Sequence, residues 1–254
     1  MSTIPTTIAV RVIARDGKFL GDDIGGAQIT VRDALTKQIL TEGATSGGSG
    51  LNGAGGVMCV PLRRGEPLPT TGASEFLAVL NLDKARRIEV TAYGPLGAPQ
   101  SANTASATQW VYPGRDIVAN NGFLLELPGL ITQILFPPTY YMPATPVDKL
   151  EIRANVAMMC GCPISIKPDG AICPGAADDQ PWLPDEFDVV AMIRPVSSAA
   201  VEVRLRYVQA DTPGQFHGVW QSPLAGVSEI TVYAFQRSTG NTGVDVATVV
   251  LPKP

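Results

Sequence analysis

Short runs in which apolar and polar residues alternate recur along the whole chain, and no other feature restricts the fold as strongly. In the run that starts at Leu150, apolar residues occupy the even-numbered positions as far as Met158, while Lys149, Glu151 and Arg153 take odd-numbered positions. Side chains of a β-strand point alternately to opposite faces, so this pattern predicts a strand with one buried face. Because no helical period persists over three turns, we expect an all-β protein.

Similar alternation predicts strands in both halves of the chain. The predicted strands are residues 8–14, 27–31, 39–40, 76–82, 87–93, 108–112, 123–127, 150–158, 187–193, 201–207, 229–235 and 244–251. Between them, residues 33–36 have the composition of a turn, and the glycine-rich segment 46–56 is predicted to be a mobile loop.

The length of the chain and its many glycines and prolines together indicate two β domains. The chain has 254 residues, which exceeds the common domain size of about 100–200 residues. Its 26 glycines and 22 prolines are spread throughout and suit short strands joined by turns. Residues 128–146 are rich in proline, aromatic and aliphatic side chains and are predicted to be a stiff connector. We therefore expect two antiparallel β-sandwich domains in tandem, residues 1–127 and 147–254.

Charge and hydropathy exclude two classes of function. The net charge is −4 and the nineteen lysines and arginines are scattered, so nucleic-acid binding is disfavoured. The most apolar stretch, residues 123–138, is interrupted by Glu126 and Gln133, so no membrane span of about 18 apolar residues is expected. The first residues lack the basic and apolar regions of a secretory signal, which favours a cytoplasmic location.

Two local sequences resemble known sandwich families. Residues 26–36, from Gly26 to Thr36, with the threonines that follow, resemble the transthyretin-like, carboxypeptidase regulatory-like sandwich. Residues 229–243, in which a strand is followed by Gly240 and Asn241, resemble a bacterial immunoglobulin-like domain. Both resemblances imply an accessory, spacer or binding module without catalytic residues. Tandem immunoglobulin-like modules also favour export, so the compartment stays open.

The chemically unusual segment runs from Met158 through Cys160 to Cys162, with Cys173 further along the chain. If the strand that begins at Leu150 continued, Met158, Cys160 and Cys162 would share one face. Thiolate and thioether ligands favour soft metals such as Cu(I), so a copper site would use Met158, Cys160, Cys162 and Cys173.

Two alternatives compete with a metal site. Cys173 would form a disulfide with Cys160 or Cys162, or all three cysteines would stay reduced in the core or in loops. Cys59 is distant from the others in sequence and is expected to be a core residue. His217, beside aromatic residues and glycine, is expected to lie in a loop and to have no catalytic role, because no nucleophile motif accompanies it.

The predicted connector carries more apolar residues than an isolated linker needs. They would form a patch large enough for an interface, unless the two domains bury it between them. The interface candidates are Leu130, Ile131, Ile134, Leu135, Phe136, Tyr140 and Tyr141.

The leading functional hypothesis is a non-catalytic structural or interaction protein, an accessory subunit or building block of a larger assembly. It would bind a protein partner or self-assemble, without a cofactor and without enzymatic activity. The alternative hypothesis is a soft-metal-binding or electron-transfer accessory protein with copper at the cysteine-containing segment.

Overall fold

A computed structural model describes residues 2–50, 56–165, 182–209 and 212–253. The described chain divides into two compact units. Unit 1 contains the residues up to Pro128 together with Met159–Gly161, and unit 2 contains Gly129–Met158 and the described residues after Gly161. Strands dominate both units, which confirms the all-β prediction of two sandwich domains in tandem.

Unit 1 is a sandwich of two four-stranded sheets. Its strands are β1 Ile4–Ala14, β2 Gln28–Asp33, β3 Ile39–Ala44, β4 Ser46–Ser49, β5 Ala73–Leu82, β6 Arg86–Gly94, β7 Asn103–Val111 and β8 Phe123–Leu127. One sheet has the order β4-β5-β1-β8 and the other has the order β3-β2-β6-β7. Neighbouring strands are antiparallel, except that β1 and β8 run parallel. Two short 3-10 helices, Asp22–Ile24 and Pro99–Ser101, lie between strands.

Strand β1 is buried on both faces. Ile8, Val10 and Val12 point into the sandwich as the alternation predicts. The opposite face is also covered, because Ile13 packs in a cluster with Phe19 and Val57. The alternation predicts one exposed face for β1, but both of its faces are covered, as is common for a central strand.

Unit 2 contains eight strands, which are hydrogen-bonded in one continuous order. These are β9 Leu130–Phe136, β10 Tyr140–Tyr141, β11 Lys149–Met158, β12 Phe187–Pro195, β13 Val201–Tyr207, β14 Gln215–Gln221, β15 Gly226–Gln236 and β16 Thr242–Leu251. Their order is β10-β16-β15-β12-β13-β14-β11-β9. A 3-10 helix, Pro184–Glu186, precedes β12. Residues 201–205 of β13 pair with β12, and Arg206 and Tyr207 pair with β14, so β13 joins the two sides of the sandwich.

β9, the last strand of this order, crosses β16, which is next to the strand at the opposite end. The backbone N–H of Gly129 donates to Asn241 Oδ1 at 3.0 Å, and the N–H of Ile134 donates to Asp245 Oδ2 at 2.7 Å. Glycine at position 243 permits the close approach, since a Cβ atom there would lie 2.4 Å from the carbonyl oxygen of Leu130. The side chains of Asn241, just before β16, and of Asp245, within it, thus satisfy two backbone donors at and beside β9.

Several expectations differ from the structure. Residues 128–146 are not a separate connector, because β9 and β10 belong to unit 2. The glycine-rich segment begins as a strand, β4, whereas residues 51–55 of the predicted mobile loop lie outside the described residues. Strand β14 was not predicted, because its sequence mixes glutamine, glycine and histidine with aromatics. Among the described residues, no helix is long and apolar enough to cross a membrane.

Candidate interaction surface

The cysteine-containing segment does not continue strand β11. The strand ends at Met158, whose backbone N–H donates to the carbonyl oxygen of Cys162 at 2.9 Å. Gly161 has a φ of 82°, a left-handed conformation that glycine adopts without steric cost. The chain therefore reverses, and the expected common face of Met158, Cys160 and Cys162 is wrong.

The oxidation states of the cysteines also differ from the predicted disulfide. Cys160, which is buried, and Cys162, which is half-buried, are reduced thiols, so the prediction of a bridge from either of them to Cys173 is wrong. Cys173 itself lies outside the described residues. Cys59 is disulfide-bonded and is not the simple core residue that was expected.

The described residues supply no group of three histidine, cysteine, aspartate or glutamate side chains arranged to hold a metal ion. Met158 and Met159 are both fully buried, Met158 in unit 2 and Met159 in unit 1. Cys160 belongs to unit 1, where its Sγ lies 3.1 Å from the position of a Cβ at Gly17. The copper site stays a prediction.

His217 lies in strand β14 and not in a loop. It is paired with Arg153 of β11 on one side and with Arg206 of β13 on the other, and Arg153 is paired in turn with Phe136 of β9. Directly opposed residues of neighbouring strands point to the same face of a sheet. These four side chains therefore form one continuous line across four strands, which we call the basic row.

One end of the basic row is aromatic. The guanidinium carbon of Arg153 lies 5.6 Å from the centre of the Phe136 ring, a cation–π distance. Phe136 in turn meets Tyr141 edge to face, with ring centres 5.2 Å apart. Tyr140 is 61% exposed and Met142 is 63% exposed beside this pair. We call Phe136, Tyr140, Tyr141 and Met142 the aromatic corner.

The middle of the basic row has one nearby carboxylate. His217 Nε2 lies 3.9 Å from Glu151 Oε2, which is beyond hydrogen-bond distance. Within the described part of the chain, this buried nitrogen has no hydrogen-bond partner. The imidazole is thus placed between two arginines with one exposed glutamate at its side.

The other end of the basic row opens into a cavity of about 450 Å³. The residues that line it include Arg204, Arg206 and Arg237, together with Tyr207 and Phe216. The two rings meet edge to face with centres 5.6 Å apart. The cavity therefore combines positive charge with an apolar wall.

Asp188 holds two of these arginines in place. Its carboxylate accepts hydrogen bonds from Arg237 Nε at 2.8 Å and Nη2 at 2.7 Å, and from Arg204 Nη2 at 2.7 Å. The hydrogen bond from Arg237 lowers the pKa of Asp188, and Asp188 in turn raises the pKa of Arg237. Arg206 differs, because it forms no ion pair with any residue in the described ranges.

The predicted interface residues do not form a single patch. Leu130 and Ile131 are buried, and Ile134 is half-buried. Leu135 and Tyr140 are exposed. The aromatic residues of this set belong to the aromatic corner, which adjoins the basic row. The local sequence did not predict the basic row.

Comparisons with known proteins bear on architecture alone. No family model matches the chain, and no curated protein matches it. Among solved structures, the fibronectin(III)-like modules of Clostridium thermocellum CbhA are 10% identical, with 98% of this chain and 94% of that chain covered and a TM-score of 0.27. The N-terminal four Ig domains of Dscam1 isoform 6.44 are 10% identical, with 100% of this chain and 53% of that chain covered and a TM-score of 0.22. At such TM-scores neither similarity supports a functional argument, and the finer resemblances to transthyretin-like and bacterial immunoglobulin-like domains stay predictions.

Proposed function

We propose that the protein is a non-catalytic interaction module, a building block of a larger assembly, and that unit 2 binds an acidic protein segment along the basic row. The observation that carries this proposal is the alignment of Arg206, His217 and Arg153 on one face, ending at Phe136. The row carries two arginines against one neighbouring carboxylate, that of Glu151, whereas the whole chain carries a net charge of −4. A patch of opposite sign to the rest of the protein attracts acidic partners and orients them.

The chemistry of the row and its neighbours is that of a protein interface. Arginine, tyrosine, phenylalanine and methionine are enriched in interfaces relative to other surface. The aromatic corner supplies the last three types, and Arg153 is already oriented by its contact with Phe136. An arginine held in place loses less side-chain freedom on binding than a mobile one. Arg206 is exposed and lines the cavity, so it is accessible to a partner carboxylate.

The test uses a fluorescein-labelled random copolymer of glutamate and tyrosine as an acidic probe, followed by fluorescence anisotropy. We expect binding that weakens as salt rises, because screening shortens the reach of exposed charges. Arg153→Ala and Arg206→Ala should each weaken binding by about fivefold, as expected when an interface arginine is truncated. Arg194→Ala is the matched control, since Arg194 is an exposed arginine of unit 2 on β12, outside the basic row.

Absence of measurable copolymer binding would overturn the proposal. So would equal weakening by all three variants, because a general loss of positive charge would then explain the effect. Circular dichroism spectra of the three variants should match the parent spectrum, which separates lost contacts from lost folding.

A further inference from the structure

In the part of the chain that the structure describes, six strands lie at the edges of the three sheets, and five of them carry features that discourage pairing with another chain. Short length protects β4, β8 and β10. A register shift between Val31 and Arg32 disturbs the pairing of β3, and a shift between Arg153 and Ala154 disturbs that of β9. Short edges, bulges and charges are the devices by which proteins avoid edge-to-edge association.

Strand β7 has none of these features. It runs for nine residues, from Asn103 to Val111, with an uninterrupted register against β6. Its sequence contains no charged residue, no proline and no glycine. No strand in the described part of the chain pairs with its outer edge. Such an edge presents unpaired backbone donors and acceptors to any strand that approaches.

The side chains of β7 are also uncovered. Thr104, Ser106 and Thr108 are exposed on one face, and Trp110 is 52% exposed at the end of the strand. On the opposite face Ala107 is exposed although its partner on β6, Val90, is fully buried. Small residues at the rim of the sandwich leave room for one more strand.

The centre of β7 reads the same in both directions. Residues 104–108 are Thr-Ala-Ser-Ala-Thr, so antiparallel pairing of two copies about Ser106 would place Thr104 opposite Thr108 and Ala105 opposite Ala107. Opposed threonines and serines form favourable cross-strand pairs, and without charges there is no repulsion between identical edges. An interface about a two-fold axis requires this self-complementarity.

We propose that two copies of the chain associate through antiparallel pairing of β7 with β7, with Ser106 on the two-fold axis. The two β3-β2-β6-β7 sheets then join into one continuous eight-stranded sheet. This surface belongs to unit 1, is separate from the basic row of unit 2, and does not depend on the function proposed for that row.

The test measures mass by light scattering during size-exclusion chromatography, over a range of protein concentrations. We expect a species of twice the 26.7 kDa chain mass that dissociates on dilution. Ser106→Lys should shift the protein to the monomer, because it places two ammonium groups opposite each other at the axis. Ser46→Lys is the control, since Ser46 is an exposed serine on another edge strand of unit 1, β4.

A cross-linking variant tests the register directly. Under mild oxidation Ser106→Cys should form a covalent dimer, because directly opposed residues of antiparallel strands lie within disulfide reach. Ser46→Cys should remain monomeric under the same conditions. The proposal is overturned by a monomer at all concentrations, or by a dimer that survives Ser106→Lys and that Ser106→Cys does not cross-link. Because Arg153→Ala leaves β7 untouched, its dimer content should equal that of the parent protein.

Discussion

Gly243 of β16 lies against the backbone of Leu130 of β9, so closely that a Cβ atom at position 243 would stand 2.4 Å from the Leu130 carbonyl oxygen. The same atom would stand 2.4 Å from Thr132 Oγ1. Backbone and a buried hydroxyl cannot give way as a flexible side-chain end can. We therefore expect Gly243→Ala to destabilise unit 2 by about 1–3 kcal/mol, the usual cost of overpacking.

Equilibrium unfolding in urea measures this effect through the decrease in the transition midpoint. Val244→Ala, at the neighbouring and 49% exposed position, is the control and should change stability by less than about 0.5 kcal/mol. Equal midpoints for Gly243→Ala and the parent protein would show that β9 does not cross β16 at this point.

Asp33 makes the stability of unit 1 depend on pH. Its Oδ1 accepts hydrogen bonds from the backbone N–H groups of Thr36 and Leu35, both at 2.9 Å, and these bonds lower the pKa of Asp33. A carboxyl whose pKa is lower in the folded than in the unfolded chain stabilises the fold above the unfolded pKa, about 3.9 for aspartate. That contribution is lost as the pH falls through the folded pKa.

Thermal unfolding at pH 5 and at pH 3 provides the measurement for Asp33. From pH 5 to pH 3, the unfolding temperature of the parent protein should fall further than that of Asp33→Asn. The amide oxygen of the variant still accepts hydrogen bonds, but the amide does not titrate. Asp23→Asn, on an exposed 3-10 helix, is the control and should lose as much as the parent. An equal fall in the unfolding temperature of Asp33→Asn and of the parent would show that the Asp33 carboxylate does not contribute to the acid sensitivity.

The three-membered ion-pair group at Asp188 should stabilise unit 2 in a salt-dependent way. Asp188→Asn removes the acceptor charge shared by Arg204 and Arg237 and leaves two guanidinium groups facing each other. We expect a lower unfolding temperature in 10 mM salt and a smaller difference in 1 M salt, where screening acts within about 3 Å. Glu229→Gln, which breaks one exposed pair with Arg194, should have a smaller effect. A salt-independent difference would assign the role of Asp188 to packing.

Thiol labelling distinguishes the cysteines. In denaturant without reductant, N-ethylmaleimide should modify Cys160 and Cys162 and leave Cys59 unmodified until a reductant is added. In the folded protein Cys162 should react faster than Cys160, because Cys162 is half-buried whereas Cys160 is 1% exposed. Peptide mapping by mass spectrometry measures the extent of modification at each cysteine. Modification of Cys59 before reduction would contradict the assigned disulfide.

Local patterns predicted well where a strand has one buried face. Ile152, Ala154 and Val156 of β11 are fully buried, as their even spacing predicts, because the pleat alone decides which side chains share a face. The pattern failed at the end of the same strand. There the strand stops at Met158 and Gly161 takes a positive φ, so Cys160 and Cys162 are no longer part of the strand whose pleat would have aligned them with Met158.

Strand β9 shows a different failure. Its seven residues, Leu130–Phe136, follow a proline and a glycine and read as a connector, yet they pair with β11 and cross β16. Nothing local to these residues specifies either neighbour. Pairing depends on backbone groups contributed by residues far along the chain, so composition alone misleads.

The sequence by itself determined the strands with a clear alternation, such as β1, β11 and β15, and which of their side chains point inward, because these depend on residue type and on a period of two. It also contains the uncharged, self-complementary residues 104–108. Only the tertiary structure decided that β7 is an edge and that Arg206, His217, Arg153 and Phe136 stand in one row. The physical reason is that strand order and register are set by non-local hydrogen bonding and packing, which bring together residues that are distant in the chain.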